Sequence, residues 1–307
     1  MTERFVPEWM QFGPADAPVV LLAMGAGEQL VHWPRSLIDG LTDEGYSVVV
    51  YDARDVGPGP RFDRDWPMDP RPVLGALAQG QDVALPYTLD DMAADMIAVL
   101  DQVGASSGHL VGISLGAMQA QLAAAAFPAR VTSLTSIMSN SGNPAMPPPN
   151  VEVTAGLIAP VDTTLDEDAQ VQRFIAVRAA MAGSRFQRDE AEWRTVARRS
   201  LSRGAPPSGT VRQIAASMAS RDRHLRLADI TAPTLVLHGS DDPVMPMAGA
   251  QDTADRIPGA RLQVIEGMGH DLSEALGAAL VPVLVDHFRI AERTEQKEVS
   301  RWAATTV

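Results

Sequence analysis

The chain has 307 residues, 46% hydrophobic and 21% charged, with 24 glycines and 23 prolines in no fixed period, which suits one large globular domain carrying an insertion and excludes collagen, coiled coil and wholesale disorder. With 38 acidic against 25 basic residues the formal charge is −13, a surface that repels phosphate backbones and anionic lipids, so no nucleic acid is expected as a partner. There is no cysteine, which removes disulfides, thiolate metal sites and cysteine nucleophiles.

Met1 to Glu8 has no basic segment followed by an apolar run, and no window approaches the roughly 18 apolar residues of a membrane span. A cytoplasmic protein without membrane contact is expected. Further along, short apolar, β-branched runs alternate with longer helical stretches. Strands are expected at Val19 to Ala23, Ser47 to Tyr51, His109 to Ile113, Val131 to Met138, Thr234 to His238 and Arg261 to Ile265. Several are almost wholly apolar, as parallel strands covered on both faces must be. Asp55 to Pro86, rich in Pro, Gly, Asp and Arg, reads as a long irregular loop. Thr88 and Asp91 form a capping box ahead of Met92, Met96, Ile97 and Leu100 at helical spacing. Leu115 to Ala126 is an Ala-rich helix ending before Pro128. Asn140 to Asn150 contains Pro144, Pro147, Pro148 and Pro149 and reads as an extended linker. Val151 to Leu227 is polar and helical in pattern, with Arg194 to Arg203 read as a solvated helix face. Asp271 to Arg289 is expected as a last helix bent near Pro282, and the tail from Ala291 as frayed. The alternation gives an α/β fold with a mostly parallel, doubly wound sheet. Its core is expected over 1–139 and 229–307, and a helical cap over 140–228.

The sharpest chemical signal is Gly112-Ile113-Ser114-Leu115-Gly116, standing between an expected strand and an expected helix. In that context G-x-S-x-G is a nucleophile elbow: a turn tight enough to strain the serine backbone, with glycines two residues either side to avoid clashes. Ser114 is the candidate nucleophile. A serine hydroxyl needs a base, and the base an orienting acid. The strand ending at His238 runs into Gly239-Ser240-Asp241-Asp242-Pro243, which offers two carboxylates on the rim where α/β sites form. The strand ending at Ile265 runs into Glu266-Gly267-Met268-Gly269-His270, where glycines let a loop present the imidazole. The other five histidines read as structural. Among them His238 is a hydrogen-bonding neighbour of the acid, and His32 is a candidate pocket wall. Oxyanion donors are expected from the backbone N–H of Leu115 and, by spacing, of Ala26 in Met24-Gly25-Ala26-Gly27-Glu28. Gly25, His32, Trp33 and Met138 are candidate pocket residues. No zinc-protease, Walker A or complete dinucleotide motif occurs, so no metal and no cofactor are expected. Partners are a small-molecule substrate and, as an option the sequence leaves open, a second copy of the chain as a homodimer.

These residues together resemble the α/β-hydrolase superfamily over nearly the whole chain, and within it the branch containing aclacinomycin methylesterase and related small-ester hydrolases. The similarity is carried by Met24-Gly25, Tyr51-Asp52-Ala53-Arg54-Asp55, the elbow, Ser139-Asn140-Ser141-Gly142-Asn143-Pro144, Arg212-Gln213-Ile214-Ala215-Ala216, Asp242-Pro243-Val244-Met245-Pro246 and Gly267-Met268-Gly269-His270. The resemblance implies the chain order Ser, Asp, His. It selects Asp242 over Asp241, leaving Asp241 as a turn or cap residue and His270 as base. It implies a serine hydrolase acting on a carboxylic ester of a small to medium, largely apolar molecule. C–C bond hydrolysis, thioester hydrolysis, acyl transfer and perhydrolysis on the same triad are the alternatives. A non-hydrolytic cyclase or receptor is a third. The chain departs from the family after Asp55, where Val56-Gly57-Pro58-Gly59-Pro60 opens an unusually long insertion, and at Met24 and Ala26 in the oxyanion loop.

Overall fold

Successive side chains of an extended strand point to opposite faces of a sheet, and here both faces are covered. The computed structural model describes residues 5, 7–63, 66–67, 69–159, 164–204 and 208–305; the leader reading of Met1 to Glu8 lies largely outside them. The strands are β1 (Trp9–Phe12), β2 (Val19–Ala23), β3 (Ser47–Tyr51), β4 (Gly108–Ile113), β5 (Val131–Ile137), β6 (Thr234–Gly239) and β7 (Arg261–Ile265). They form one sheet in the order β1-β3-β2-β4-β5-β6-β7. β1 is antiparallel to β3 and every other pairing is parallel.

The helices are α1 (Arg35–Asp43), α2 (Arg71–Ala78), α3 (Leu89–Gln102), α4 (Leu115–Ala126), α5 (Val151–Ile158), α6 (Glu167–Ala179), α7 (Glu190–Arg203), α8 (Gly209–Ala219), α9 (Arg223–Arg226), α10 (Met247–Arg256) and α11 (Glu274–Thr305). Val19, Leu21 and Ala23 of β2 pack with Val49, Leu110 and Leu134 against α3 and α4. Their neighbours Val20 and Leu22 pack with Val48, Val50, Val111 and Ile137 against α1 and α11. Two cores reading alternate residues of the same strands explain why the strands look continuously apolar in sequence.

All six expected strands are present to within a residue, and β1 is an addition. The segment from Asp55 to Pro86 is not wholly irregular, because α2 lies inside it with Pro72 in the first turn, a position that loses no hydrogen bond. The last helix begins at Glu274 rather than Asp271, passes through Pro282, and continues to Thr305 where a frayed tail was expected. The extended stretch before Asn150 is as expected, and Asn150 caps α5 by accepting from the N–H groups of Glu152 and Val153. Among the described residues no helix is long and apolar enough to cross a membrane.

The turn after β3 joins the sheet to the inserted helices α5–α9. Asp52 accepts from Leu30 N–H at 2.7 Å and pairs with Arg203 of α7. Arg54 pairs with Asp95 of α3. Asp55 takes both arms of Arg212 of α8 at 2.7 Å, with Tyr87 Oη donating at 2.8 Å. Arg203 is therefore an anchor and not part of a solvated face, whereas among the described residues Arg194 and Arg198 pair only with exposed carboxylates.

Three buried histidines give the fold a pH dependence. Burial, with nearby arginines, holds His32 well below its ordinary value. Burial also lowers His238, and it lowers His287 to about 4, even though His287 Nε2 donates to Leu134 O. The unfolded chain takes up these protons near pH 6.5 and the folded chain does not, so stability is complete above that pH and falls as the pH drops. For His287 the loss runs from 6.5 to about 4 and amounts to about 3 kcal/mol. Urea unfolding at about pH 7 and about pH 4.5 is expected to show the drop. His287→Gln is expected to flatten it, and equal slopes in the two proteins would assign the drop elsewhere.

Candidate active site

In an open α/β sheet, loops leaving the carboxyl ends of the strands meet on one rim. Ser114 follows β4, Asp242 follows β6 and His270 follows β7, so residues far apart in sequence converge there. The elbow has the strained geometry expected: Ser114 has φ 50° and ψ −116°, a region an ordinary side chain avoids at a cost of about 1–3 kcal/mol. The turn is closed by Ser114 N–H donating to Ile137 O at 2.9 Å and by Ser139 Oγ donating to Ser114 O at 2.8 Å. A Cβ on Gly112 would lie 2.3 Å from Gly116 O, and one on Gly116 would lie 2.1 Å from Ala23 O. Neither position accepts a side chain.

His270 Nε2 stands 3.1 Å from Ser114 Oγ and Nδ1 stands 2.8 Å from Asp242 Oδ2. A carboxylate only accepts, so Nδ1 carries the proton and Nε2 presents its lone pair to the serine hydroxyl. Asp242 Oδ1 is occupied by the N–H groups of Val244 and Met245, both at 2.8 Å. Burial opposes ionisation of Asp242. The charge and hydrogen bond of His270, the Met245 N–H and His238 outweigh it and hold the carboxyl below its usual range. His238, fully buried, donates from Nε2 to Met245 O at 2.9 Å and lies 3.7 Å from Asp242, the neighbouring role the sequence suggests.

Asp241 points elsewhere. It accepts from Ser184 N–H, Ser184 Oγ and Ser240 Oγ, and these bonds lower its carboxyl. The histidine loop is also held by the inserted segment. His270 N–H donates to Met181 O at 2.7 Å and Arg185 N–H to Gly267 O at 3.0 Å. Gly267 has φ 73°, and a Cβ on Gly269 would lie 2.1 Å from Gly183 N. The glycines thus serve close backbone approach as well as loop freedom.

Leu115 is the first residue of α4, so its N–H faces the rim as one of the free donors of a helix N-terminus. Gly25 lies against Ser114, a Cβ there being 3.5 Å from Ser114 Cβ. Gly25 O accepts from Glu28 N–H at 3.2 Å, which closes a turn with Ala26 and Gly27 at its centre. Trp33 and Met138 are buried with Met24 and Met268 in the core on the α1 and α11 side. His32 is buried, with its ring edge-on to Phe174 of α6. Among the described residues no group of three or more His, Cys, Asp or Glu side chains is placed to hold a metal. Sequence reading missed Gln213 beside this site: it is fully buried and bonded to the Gly25–Glu28 turn. Only its place in the family-like stretch from Arg212 marked it.

Comparison with known proteins gives the family. The model for the alpha/beta hydrolase fold matches residues 18–274. A rhodomycin D methylesterase from a Streptomyces species is 32% identical over 303 residues, covering 91% of this chain and 93% of the relative. A second, from Streptomyces peucetius, is 30% identical with the same coverage. A putative carbamate hydrolase from Variovorax paradoxus is 28% identical, covering 89% and 92%. Among solved structures, a meta-cleavage product hydrolase from Pseudomonas fluorescens superposes with a TM-score of 0.69 at 19% identity, covering 93% and 94%; at that identity it bears on the fold alone. From its sheet order, its elbow and these matches, the chain belongs to the α/β hydrolase fold family.

Proposed function

We propose that the protein is a carboxylic-ester hydrolase using Ser114 as nucleophile, His270 as general base and Asp242 as the orienting acid. The observation that carries this is the continuous chain from Ser114 Oγ through His270 to Asp242, with the serine on a strained turn at the head of a helix. His270 Nε2 takes the hydroxyl proton as Ser114 Oγ bonds to the acyl carbon. The carbonyl oxygen becomes an oxyanion held by the N–H groups of Leu115 and Ala26. Collapse breaks the ester C–O bond and the alcohol leaves with the proton from His270. Water, deprotonated by the same imidazole, then cleaves the acyl-enzyme and frees Ser114. Base catalysis and the oxyanion donors each supply roughly 10²–10⁴-fold.

Helices α5–α9, within 140–228, act in this reading as a cap over a core of 1–139 and 229–307. Gly25, His32, Trp33 and Met138 are its candidate pocket residues. The rhodomycin D methylesterase relatives support methyl esters of largely apolar molecules as the first class to try. Hydrolysis of p-nitrophenyl esters over a range of acyl lengths, together with methanol release from methyl esters, tests the proposal. Turnover in both assays is expected. Cleavage of a β-diketone without any ester turnover would favour C–C hydrolysis instead.

A further inference from the structure

An oxyanion hole works only if its donors are held where charge will develop, so what fixes the loop is part of the machinery. The donors' supports are not all in the sheet core. Gly27 N–H donates to Gln213 Oε1 at 2.7 Å, while Gln213 Nε2 donates to Arg54 O at 2.7 Å. Gln213 is fully buried and Gly27 half-buried, so the bond is shielded on the glutamine side. Gly27 has φ +72°, and a Cβ there would meet Thr210 Oγ1 of α8 at 2.1 Å. A positive φ at the third residue of the 25–28 turn is what a type II turn requires, and the central peptide of that turn carries the Gly27 N–H. The bond holds that peptide and with it ψ of Ala26 and φ of Gly27, so losing it loosens the backbone of the residue whose N–H is the donor. The next residues are held from the same side. Arg178 of α6 pairs with Glu28. Gln29 Nε2 donates to Ser200 O at 3.1 Å and Gly204 O at 2.9 Å, and Arg203 Nε donates to Gln29 Oε1 at 2.9 Å.

We propose that Gln213 is a positioning residue that locks the Ala26–Gly27 peptide, so that the inserted helices, and not the sheet core alone, build the oxyanion hole. The proposal rests on the ester-hydrolase reading. It couples placement of α6, α7 and α8 to catalytic competence: three consecutive loop residues are each tied to a different inserted helix.

The test is steady-state hydrolysis of p-nitrophenyl butyrate by the full chain and by Gln213→Met, which keeps the volume and loses both hydrogen bonds. A kcat fall of about 10–100-fold is expected, less than full loss of a donor because the N–H is loosened and not removed. KM is expected to change by less than roughly threefold. The acid limb of kcat/KM is expected to stay within about 0.3 pH unit. Gln213→Glu, kept as a carboxylic acid by burial, offers both an acceptor and a donor and is expected to recover about tenfold of the loss. An unchanged kcat, a loss confined to KM, a moved acid limb, or a glutamate variant no better than methionine overturns the proposal. If Gln213→Met does not unfold cooperatively, Arg178→Met is read in its place. A kcat fall of about fivefold at constant KM supports the coupling and an unchanged kcat overturns it. Ser114→Ala runs in parallel. If it retains activity the hydrolase reading fails, whereas if it is inactive and kcat of Gln213→Met is intact, only the positioning inference fails.

Discussion

Ser114→Ala is expected to lower kcat on any accepted ester by roughly 10⁴–10⁶-fold while leaving the fold intact. The size follows from the geometry. Among the described residues the one hydroxyl bonded to the His270 ring is Ser114 Oγ, at Nε2, while Nδ1 is bonded to Asp242. What remains is binding and the backbone oxyanion donors, which alone retain a small rate over water. Removing the hydroxyl leaves the elbow's other contacts in place, because they run through the backbone of Ser114 and Ser139 Oγ. Circular dichroism and the melting temperature should therefore match the parent. Comparable kcat in the two proteins would remove Ser114 from the mechanism.

Asp242→Asn is expected to lower kcat by about 10³–10⁴-fold, with Asp241→Asn remaining within roughly threefold of the parent. The Val244 and Met245 N–H groups both need an acceptor at the Oδ1 position. The substituted amide must place its oxygen there and turn its NH₂ towards His270. A donor facing Nδ1 selects the tautomer protonated on Nε2, which cannot take the Ser114 proton. Asp241 holds only Ser184 and Ser240, so its loss disturbs a contact to the inserted segment and not the imidazole. Rates measured side by side at about pH 8 decide between the two carboxylates, and equal losses would contradict the assignment.

Much of this is legible in the sequence. The strands declared themselves because two cores draw on alternate residues, leaving runs such as Val19–Ala23 without a polar position. The elbow was readable because Gly112 and Gly116 answer to steric contacts so tight that no other residue fits. β1 was not readable: none of its four residues is buried, Gln11 is among them, and they pair at the sheet edge with no alternation to betray them. α2 was masked by Pro72 and Gly75. The tail after Ala291 looked frayed because its composition is polar, although the backbone stays helical to Thr305. Charge gives no sign of burial, so Arg212 and Arg223, both 1% exposed, looked no different from the exposed arginines of α7. Gln213 is the extreme case, since its partner Gly27 is 186 residues away and nothing local marks the contact.

The central claim is that Ser114 is the nucleophile of an acyl-transferring site. The most direct measurement is intact-mass spectrometry after treatment with a fluorophosphonate, followed by peptide mapping, on the parent protein and on Ser114→Ala. One adduct per chain, located on the peptide containing Ser114 and absent from the alanine variant, is the result this account predicts. An unlabelled parent protein that still hydrolyses esters, or an adduct persisting in the alanine variant, would contradict it.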